Sequence, residues 1–379
     1  MLCQRKEFSF FTNVSTENRS LISWLIIRRF HVASIEIIDD KNVVLLAKVL
    51  STTGEQLRSV TIRSQRSDIS VTAILSMIAL YCSNISKLHF YACVVDILLI
   101  EILVANSFLK ELKAESCSFT ENFLKSNVEG FCLPSVTGIV VTAPFRRVDI
   151  FKLVNLCPAL LVLQLSCTSL TDENMVQLVE SCPHISACIL YDCSSLTEYS
   201  LCKTVMGWQL TTLVVRGCRE CTDELLRCIC NYCSTLECFL FISSNTFSAR
   251  AIVEVVRKCL KLTSVALGWH SLTPREFIDI VAPTLGNILV LTLSQQLCGE
   301  YCNRLEVLDL VDDKLGQFTN SGTGLIHALQ HCVNLRTLIV NVSVKVAHFN
   351  SVLVLNLLCS VRPNILLTSG ANSGPLVAK

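Results

Sequence analysis

Residues 157–185 read CPALLVLQLSCTSLTDENMVQLVESCPHI. The stretch opens and closes on one phrase, a Cys three residues before a Leu or Ile: Cys157 with Leu160, then Cys182 with Ile185. Leu160, Leu163 and Leu165 have strand spacing, so their side chains share one face and point inward. Leu170-Thr171-Asp172 follows, and Thr171 or Asp172 is a natural helix N-cap. Met175, Leu178, Val179 and Cys182 then stand at i, i+3, i+4 and i+7, the stripe that a helix buries against a sheet. One strand, one turn and one helix are thus written in about 25 residues, within the 20–50-residue range of repeats that stack.

Working outward, the Cys phrase returns as Cys82/Ile85, Cys233/Leu236, Cys259/Leu262, Cys302/Leu305 and Cys332/Leu335. Strand openings at Leu160, Ile185, Leu210, Leu236, Leu262 and Ile288 are separated by 25, 25, 26, 26 and 26 residues. A fixed period of this size predicts a solenoid. The helical stripe recurs at Leu75/Ile78/Ala79/Cys82, Ile150/Leu153/Val154/Cys157, Leu226/Ile229/Cys230/Cys233, Ile252/Val255/Val256/Cys259 and Leu325/Ala328/Leu329/Cys332. Looser strands precede it: Val32/Ile35/Ile37, Leu57/Val60/Ile62, Ile85/Leu88/Phe90, Leu109/Leu112/Ala114 and Val136/Ile139/Val141. Cys93, Cys117, Cys193 and Cys218 occupy the turn after their strands, where a small polar group is able to bond loop backbone.

The repeats are expected to fill residues 32–368, about 12–13 units, behind a capping segment at 1–31. Within that segment the apolar run Arg19–Arg28 reads first as a capping helix and second as the stump of a lost adaptor-binding domain. Leu305 follows Ile288 by only 17 residues, which leaves no room for a helix and predicts an irregular connection. Ile365-Leu-Leu reads as a closing strand, and the Gly/Ser/Ala-rich 369–379 as a frayed tail.

The protein has 379 residues, 51% of them hydrophobic, and a mean hydropathy of +0.53. Such values suit either a membrane protein or a repeat protein with a Leu/Val/Ile interior. No stretch reaches the roughly 18 uncharged apolar residues of a spanning helix, and the best candidate, Val94–Ala105, holds Asp96 and Glu101. The net charge of +1 gives no basic excess for phosphates, so nucleic acid is not an expected partner. Arg5, Lys6 and Glu7 followed by a short apolar patch do not read as a secretory signal. The 22 Cys fall by repeat phase, as free buried hydrophobes in a reducing cytoplasm or nucleus would.

Cys218-x-x-Cys221 and Cys230-x-x-Cys233 look like two halves of a zinc site. Yet Cys218 holds the turn position, and Cys230 and Cys233 hold stripe positions, so a tetrahedral site would pull two residues from the core. The seven His show no metalloprotease spacing, and phosphate-loop, nucleophile-elbow and dinucleotide fingerprints are missing. The expectation is therefore no metal, no cofactor and no catalysis.

Cys182-Pro183-His184-Ile185, then Cys188, Leu190 and Cys193, with Leu196-Thr197 after them, resembles the cysteine-containing class of leucine-rich repeats. The resemblance is strongest over 157–267. It implies an α/β fold: a right-handed solenoid (horseshoe) with a parallel sheet on the concave side and helices outside. Ribonuclease-inhibitor-like repeats are the nearest rival. Repeats of this class often accompany an F-box, which implies substrate recognition for a ubiquitin ligase and a ligase adaptor as a second partner. No Leu-Pro opening of an F-box occurs in Met1 to Arg29.

Side chains alternate, so the residues between the inward Leu positions face out of the sheet. This places Ser59/Thr61/Arg63, Lys87/His89/Tyr91 and Glu111/Lys113/Glu115 on the concave face, then Ala187/Ile189/Tyr191, Thr212/Val214/Arg216 and Cys238/Leu240/Ile242. The first set is charged and the second apolar. The candidate protein-binding residues are Arg63, Lys87, His89, Tyr91, Glu111, Lys113, Glu115, Ile189, Tyr191, Val214, Arg216 and Leu240. Tyr and Arg among apolar neighbours are the mixture that makes interface anchors. The reading is a non-catalytic interaction scaffold. Its rivals are a diverged or truncated repeat protein without an adaptor-binding role, and then an enzyme or metal-binding protein.

Overall fold

The structure is a computed structural model, and it describes residues 8–10, 32–38, 43–64, 71–120, 132–142, 151, 153–166, 169–218, 221–242, 247–267, 280–288, 290–293, 306–311, 334–341 and 366–369. The protein divides into two compact units, Met1–Ile185 and Ser186–Lys379.

In the first unit the sheet strands are β1 (Phe8–Phe10), β2 (Val32–Ile38), β3 (Ser59–Arg63) and β4 (Lys87–Tyr91), continued by β6 (Glu111–Glu115), β8 (Gly138–Thr142) and β9 (Val162–Ser166). They lie parallel in that order. Two-residue strands β5 (Val94–Val95) and β7 (Ser118–Phe119) pair separately, just after β4 and β6. Between strands run helices α1 (Val43–Thr53), α2 (Thr72–Tyr81), α3 (Leu98–Ala105) and α4 (Asp172–Ser181). The second unit repeats the scheme: β10 (Ala187–Tyr191), α5 (Glu198–Gly207), β11 (Thr212–Arg216), α6 (Asp223–Tyr232), β12 (Cys238–Ile242), α7 (Ala249–Lys258) and β13 (Ser264–Leu267). Strands β14 (Val290–Leu293), β15 (Val307–Val311), β16 (Thr337–Asn341) and β17 (Leu366–Ser369) continue it, parallel throughout.

A parallel sheet whose strands are joined, where the connections are described, by a short turn and helix is the leucine-rich repeat fold, as the resemblance implied. Inward positions are sealed: Val60, Ile62, Leu88, Phe90, Leu163, Leu165, Cys188, Leu190 and Val215 are fully buried. The expected strand phase holds in both units.

The tight turn after the strand has a backbone cause. Ala92, Ser116 and Asp192 adopt left-handed φ of 53°, 53° and 52°, and Gly217 sits at 69°. The backbone turns sharply there and drops the next residue, Cys93, Cys117, Cys193 or Cys218, into the interior. In three of these repeats the thiol donates back to the last strand carbonyl: Cys93 to Tyr91 (3.0 Å), Cys117 to Glu115 (3.2 Å) and Cys193 to Tyr191 (3.3 Å).

The helical stripe needs correction. Ala79, Val179, Cys230 and Val256, four of its i+4 members, are only half-buried, whereas Val154, the i+4 member of the stripe that ends at Cys157, is buried as expected. In these four helices the residue before the stripe is buried instead: Ile74, Asn174, Leu225 and Ala251. Helices α2, α4, α6 and α7 are rolled about their axes toward the i−1 side, so their core face is i−1, i, i+3 and i+7, whereas α3 and α5 bury their i+4 residues Leu103 and Val205.

The Cys phrase also reaches further than its letter. Asn106 stands three residues before the buried Leu109 and ends α3. Its Nδ2 donates to the Cys82 carbonyl one repeat earlier (3.0 Å) and to Ile102 O (2.8 Å), and its Oδ1 accepts from Ile85 N (2.7 Å). Cys259 does the same with its thiol, donating to the Cys233 carbonyl at 3.4 Å.

The step from β14 to β15, set by Val290 pairing with Val307, is 17 residues, so the sheet tolerates the short unit. Residues 294–305 lie outside the described residues, as do the expected helix at Arg19–Arg28, the stripe at Leu325–Cys332 and the tail beyond Ser369. The segment read as a cap contributes β1, which pairs parallel with β2. Among the described residues, no helix is long and apolar enough to cross a membrane.

Candidate protein-interaction face

Register brings the candidate residues into columns across the sheet's open face. In the first unit one column runs Ser59–Lys87–Glu111, the next Glu36–Thr61–His89–Lys113 and the third Arg63–Tyr91–Glu115. All the charges predicted there meet a partner. Arg63 Nε lies 3.0 Å from Glu36 Oε1, and Lys87 Nζ 3.5 Å from Glu111 Oε2. Lys113 Nζ lies 2.6 Å from Glu115 Oε1. Tyr91 stands between two cations, with Arg63 4.3 Å and Lys113 5.5 Å from its ring centre. Glu36 was not among the candidates; extending the strand phase of Ile35 and Ile37 by one position would have found it.

His89 donates from Nε2 to Glu111 Oε1 at 3.0 Å. Burial lowers its pKa, Glu111 opposes that shift, and Lys113 and Lys87 add to it. The ring therefore favours the neutral form. For Lys113 burial works against the charge, but hydrogen bonds with Glu115 and Tyr91 outweigh it and raise the pKa.

In the second unit the columns are Ala187–Thr212–Cys238–Ser264, Ile189–Val214–Leu240–Ala266 and Tyr191–Arg216–Ile242. Ile189, Tyr191 and Leu240 are half-buried and Arg216 is exposed, with its guanidinium 5.8 Å from the Tyr191 ring centre. Val214 corrects the expectation. It points out of the sheet but is only 7% exposed, because the larger Ile189 and Leu240 flank it in register and cover it. It serves the face as a floor rather than as a contact.

The four Cys that suggested zinc are placed as repeat residues. Cys218, Cys221 and Cys233 are buried, and Cys230 is half-buried beside Glu254. Burial pushes the Cys218, Cys221 and Cys230 thiols up to about 12 and Cys233 to about 11. Among the described residues, no group of three or more His, Cys, Asp or Glu is arranged to hold a metal ion.

No family model matches this sequence, and no curated protein matches it. A protein of the yeast Rad7–Elc1 complex is similar in structure at a TM-score of 0.45 and 16% identity, covering 94% of this chain and 88% of that one. The leucine-rich repeat-containing protein LegL7 from Legionella pneumophila is similar at a TM-score of 0.39 and 15% identity, over 64% of this chain and 86% of that one. Both figures are low, and the assignment to the leucine-rich repeat fold stands on the strand–turn–helix unit and parallel register described above.

Proposed function

We propose that this protein is a non-catalytic scaffold that binds a protein partner on the open face of its sheet. The observation that carries the reading is the outward row itself. In the second unit the consecutive strands β10, β11 and β12 present Ile189, Tyr191, Arg216 and Leu240 at one phase, on a backbone already fixed by the ladder. A preformed surface loses little ordering entropy when a partner docks. The finer reading, supported by the sequence resemblance alone, is substrate recognition for a ubiquitin ligase in the cytoplasm or nucleus.

The test is capture of partners from cell extract by the full-length protein, read by mass spectrometry, with open-face and helix-side variants in parallel. Tyr191→Ala and Arg216→Ala should weaken recovery of a genuine partner, each by roughly five- to thirty-fold in affinity, the range of an interface anchor. Glu180→Ala, on the helix side, should leave it unchanged. Ligase adaptor and scaffold subunits in the captured set would support the finer reading. If the helix-side change abolishes capture and the open-face pair does not, the assigned face is wrong. One observation favours a second reading, a diverged repeat protein without an adaptor-binding role: the 17-residue step between β14 and β15. A protein that captures nothing would bear that out.

A further inference from the structure

The two open faces treat charge in opposite ways. In the first unit Arg63, Lys87, His89 and Lys113 each have a carboxylate from Glu36, Glu111 or Glu115. In the second unit, β10 to β13 carry one charged residue at an outward position, Arg216. Its register partners are Tyr191 and Ile242, which bring no acid. The diagonal neighbours, Ile189 and Leu240, bring none either. The nearest acid along the turn, Asp192, lies against Gly217, and among the described residues no ion pair joins it to Arg216. The guanidinium is instead held against the Tyr191 ring at 5.8 Å, at the margin of an apolar patch made by Ile189, Val214 and Leu240.

Any partner that covers this patch removes Arg216 from water. An unpaired charge is expensive to bury, whereas a planar guanidinium meets a carboxylate through two parallel hydrogen bonds. The patch alone is satisfied by apolar side chains; the cation at its margin is satisfied by an acid. We propose that the open face of β10–β13 takes a protein segment that seats apolar side chains on Ile189 and Leu240, above the Val214 floor, and sets a carboxylate on Arg216. That carboxylate belongs to an Asp or Glu of the segment or to its C-terminus. This inference rests on the open-face reading given above and adds the chemistry of the partner.

The experiment is selection of a random peptide library displayed on phage against the full-length protein, repeated with Arg216→Glu, Ile189→Asp and Leu240→Asp. Circular dichroism melts keep only variants that fold; Arg216 is exposed, so Arg216→Glu should melt as the parent does. The expected result is enrichment of peptides with an acid, or a free C-terminus, beside apolar residues. Arg216→Glu should weaken their binding by roughly 30-fold or more, the scale of losing one desolvated charge pair, and should select Lys or Arg at the acid's place. Peptides that carry no acid and ignore Arg216→Glu, yet are lost with Ile189→Asp and Leu240→Asp, would overturn the carboxylate proposal and leave the open-face reading intact. Peptides indifferent to all three substitutions, or no enrichment, would overturn both.

Discussion

At the end of α3, what the fold asks for is a small buried side chain with a donor, and Asn106 supplies it with an amide where other repeats use a thiol. It is 1% exposed and makes three hydrogen bonds to Cys82, Ile85 and Ile102. Asn106→Leu should destabilise the protein by about 2–3 kcal/mol in a urea titration, because backbone groups of two repeats lose their partner without gaining water. Asn106→Cys should recover part of that loss, since Cys259 makes the equivalent bond. His89 gives a pH signature. Its folded pKa lies below the ordinary value near 6.5, with burial as the largest cause. The unfolded state therefore binds the proton first as pH falls. The stabilisation is complete above about pH 6.5 and is lost as pH drops through the lower folded value. The urea midpoint should fall between pH 7 and pH 5, and it should fall less in His89→Gln. An equal fall in both proteins would remove His89 as the cause.

Helices of the second unit cap one another. Glu198, the first residue of α5, accepts from the backbone N–H of Thr222 (2.7 Å), from its hydroxyl (3.0 Å) and from Leu225 N (3.2 Å). Asp223, the first residue of α6, accepts from Ser248 N (2.8 Å) and Ser248 Oγ (2.7 Å). Thr222 and Ser248 are in turn the N-caps of α6 and α7. Asp223→Ala should cost about 0.5–2 kcal/mol, as losing a cap does, and hydrogen exchange should quicken first at the start of α7 rather than in α6. Leu213→Ala, at a fully inward position, should cost about 2–5 kcal/mol; an unchanged melt would mean the strand phase is wrong. The strands were readable from the sequence because alternation has only two phases, and one of them puts Leu163 or Leu213 in water. The helices were less readable. A stripe of i, i+3, i+4 and i+7 is nearly symmetric, and Asn174, buried on the i−1 side of α4, is polar and hides the true face. Asn106 escaped because the phrase was read as Cys rather than as a small donor. The open face was legible as an orientation, whereas the burial of Val214 depends on the girth of its neighbours on other strands.

On the scale of the whole molecule the thiols form a census of the interior. Of 16 free Cys among the described residues, 12 are buried, three half-buried and one, Cys132, exposed. Among the described cysteines, an aromatic disulfide reagent should modify Cys132 first in native protein, with the buried thiols following only as denaturant is added. Several early-reacting buried thiols would mean that the repeats open locally far more often than their packing suggests. The cap relay has a consequence for how such a repeat protein lengthens. The repeats that open α5 and α6 each carry an acid, Glu198 or Asp223, that faces forward to the hydroxyl of the next N-cap, like the two halves of a coupling. A tandem copy of residues 198–222 would set the first Glu198 against the first Thr222 and the second against the second, and the last would hand over to Asp223 as before. Such a lengthened protein should fold with a proportionate rise in helix and strand signal, whereas an insert of half that length would leave one coupling unmated and one strand without a place in the ladder. Lengthening by whole units is thus open to a duplicating gene, while insertions out of phase are penalised at once.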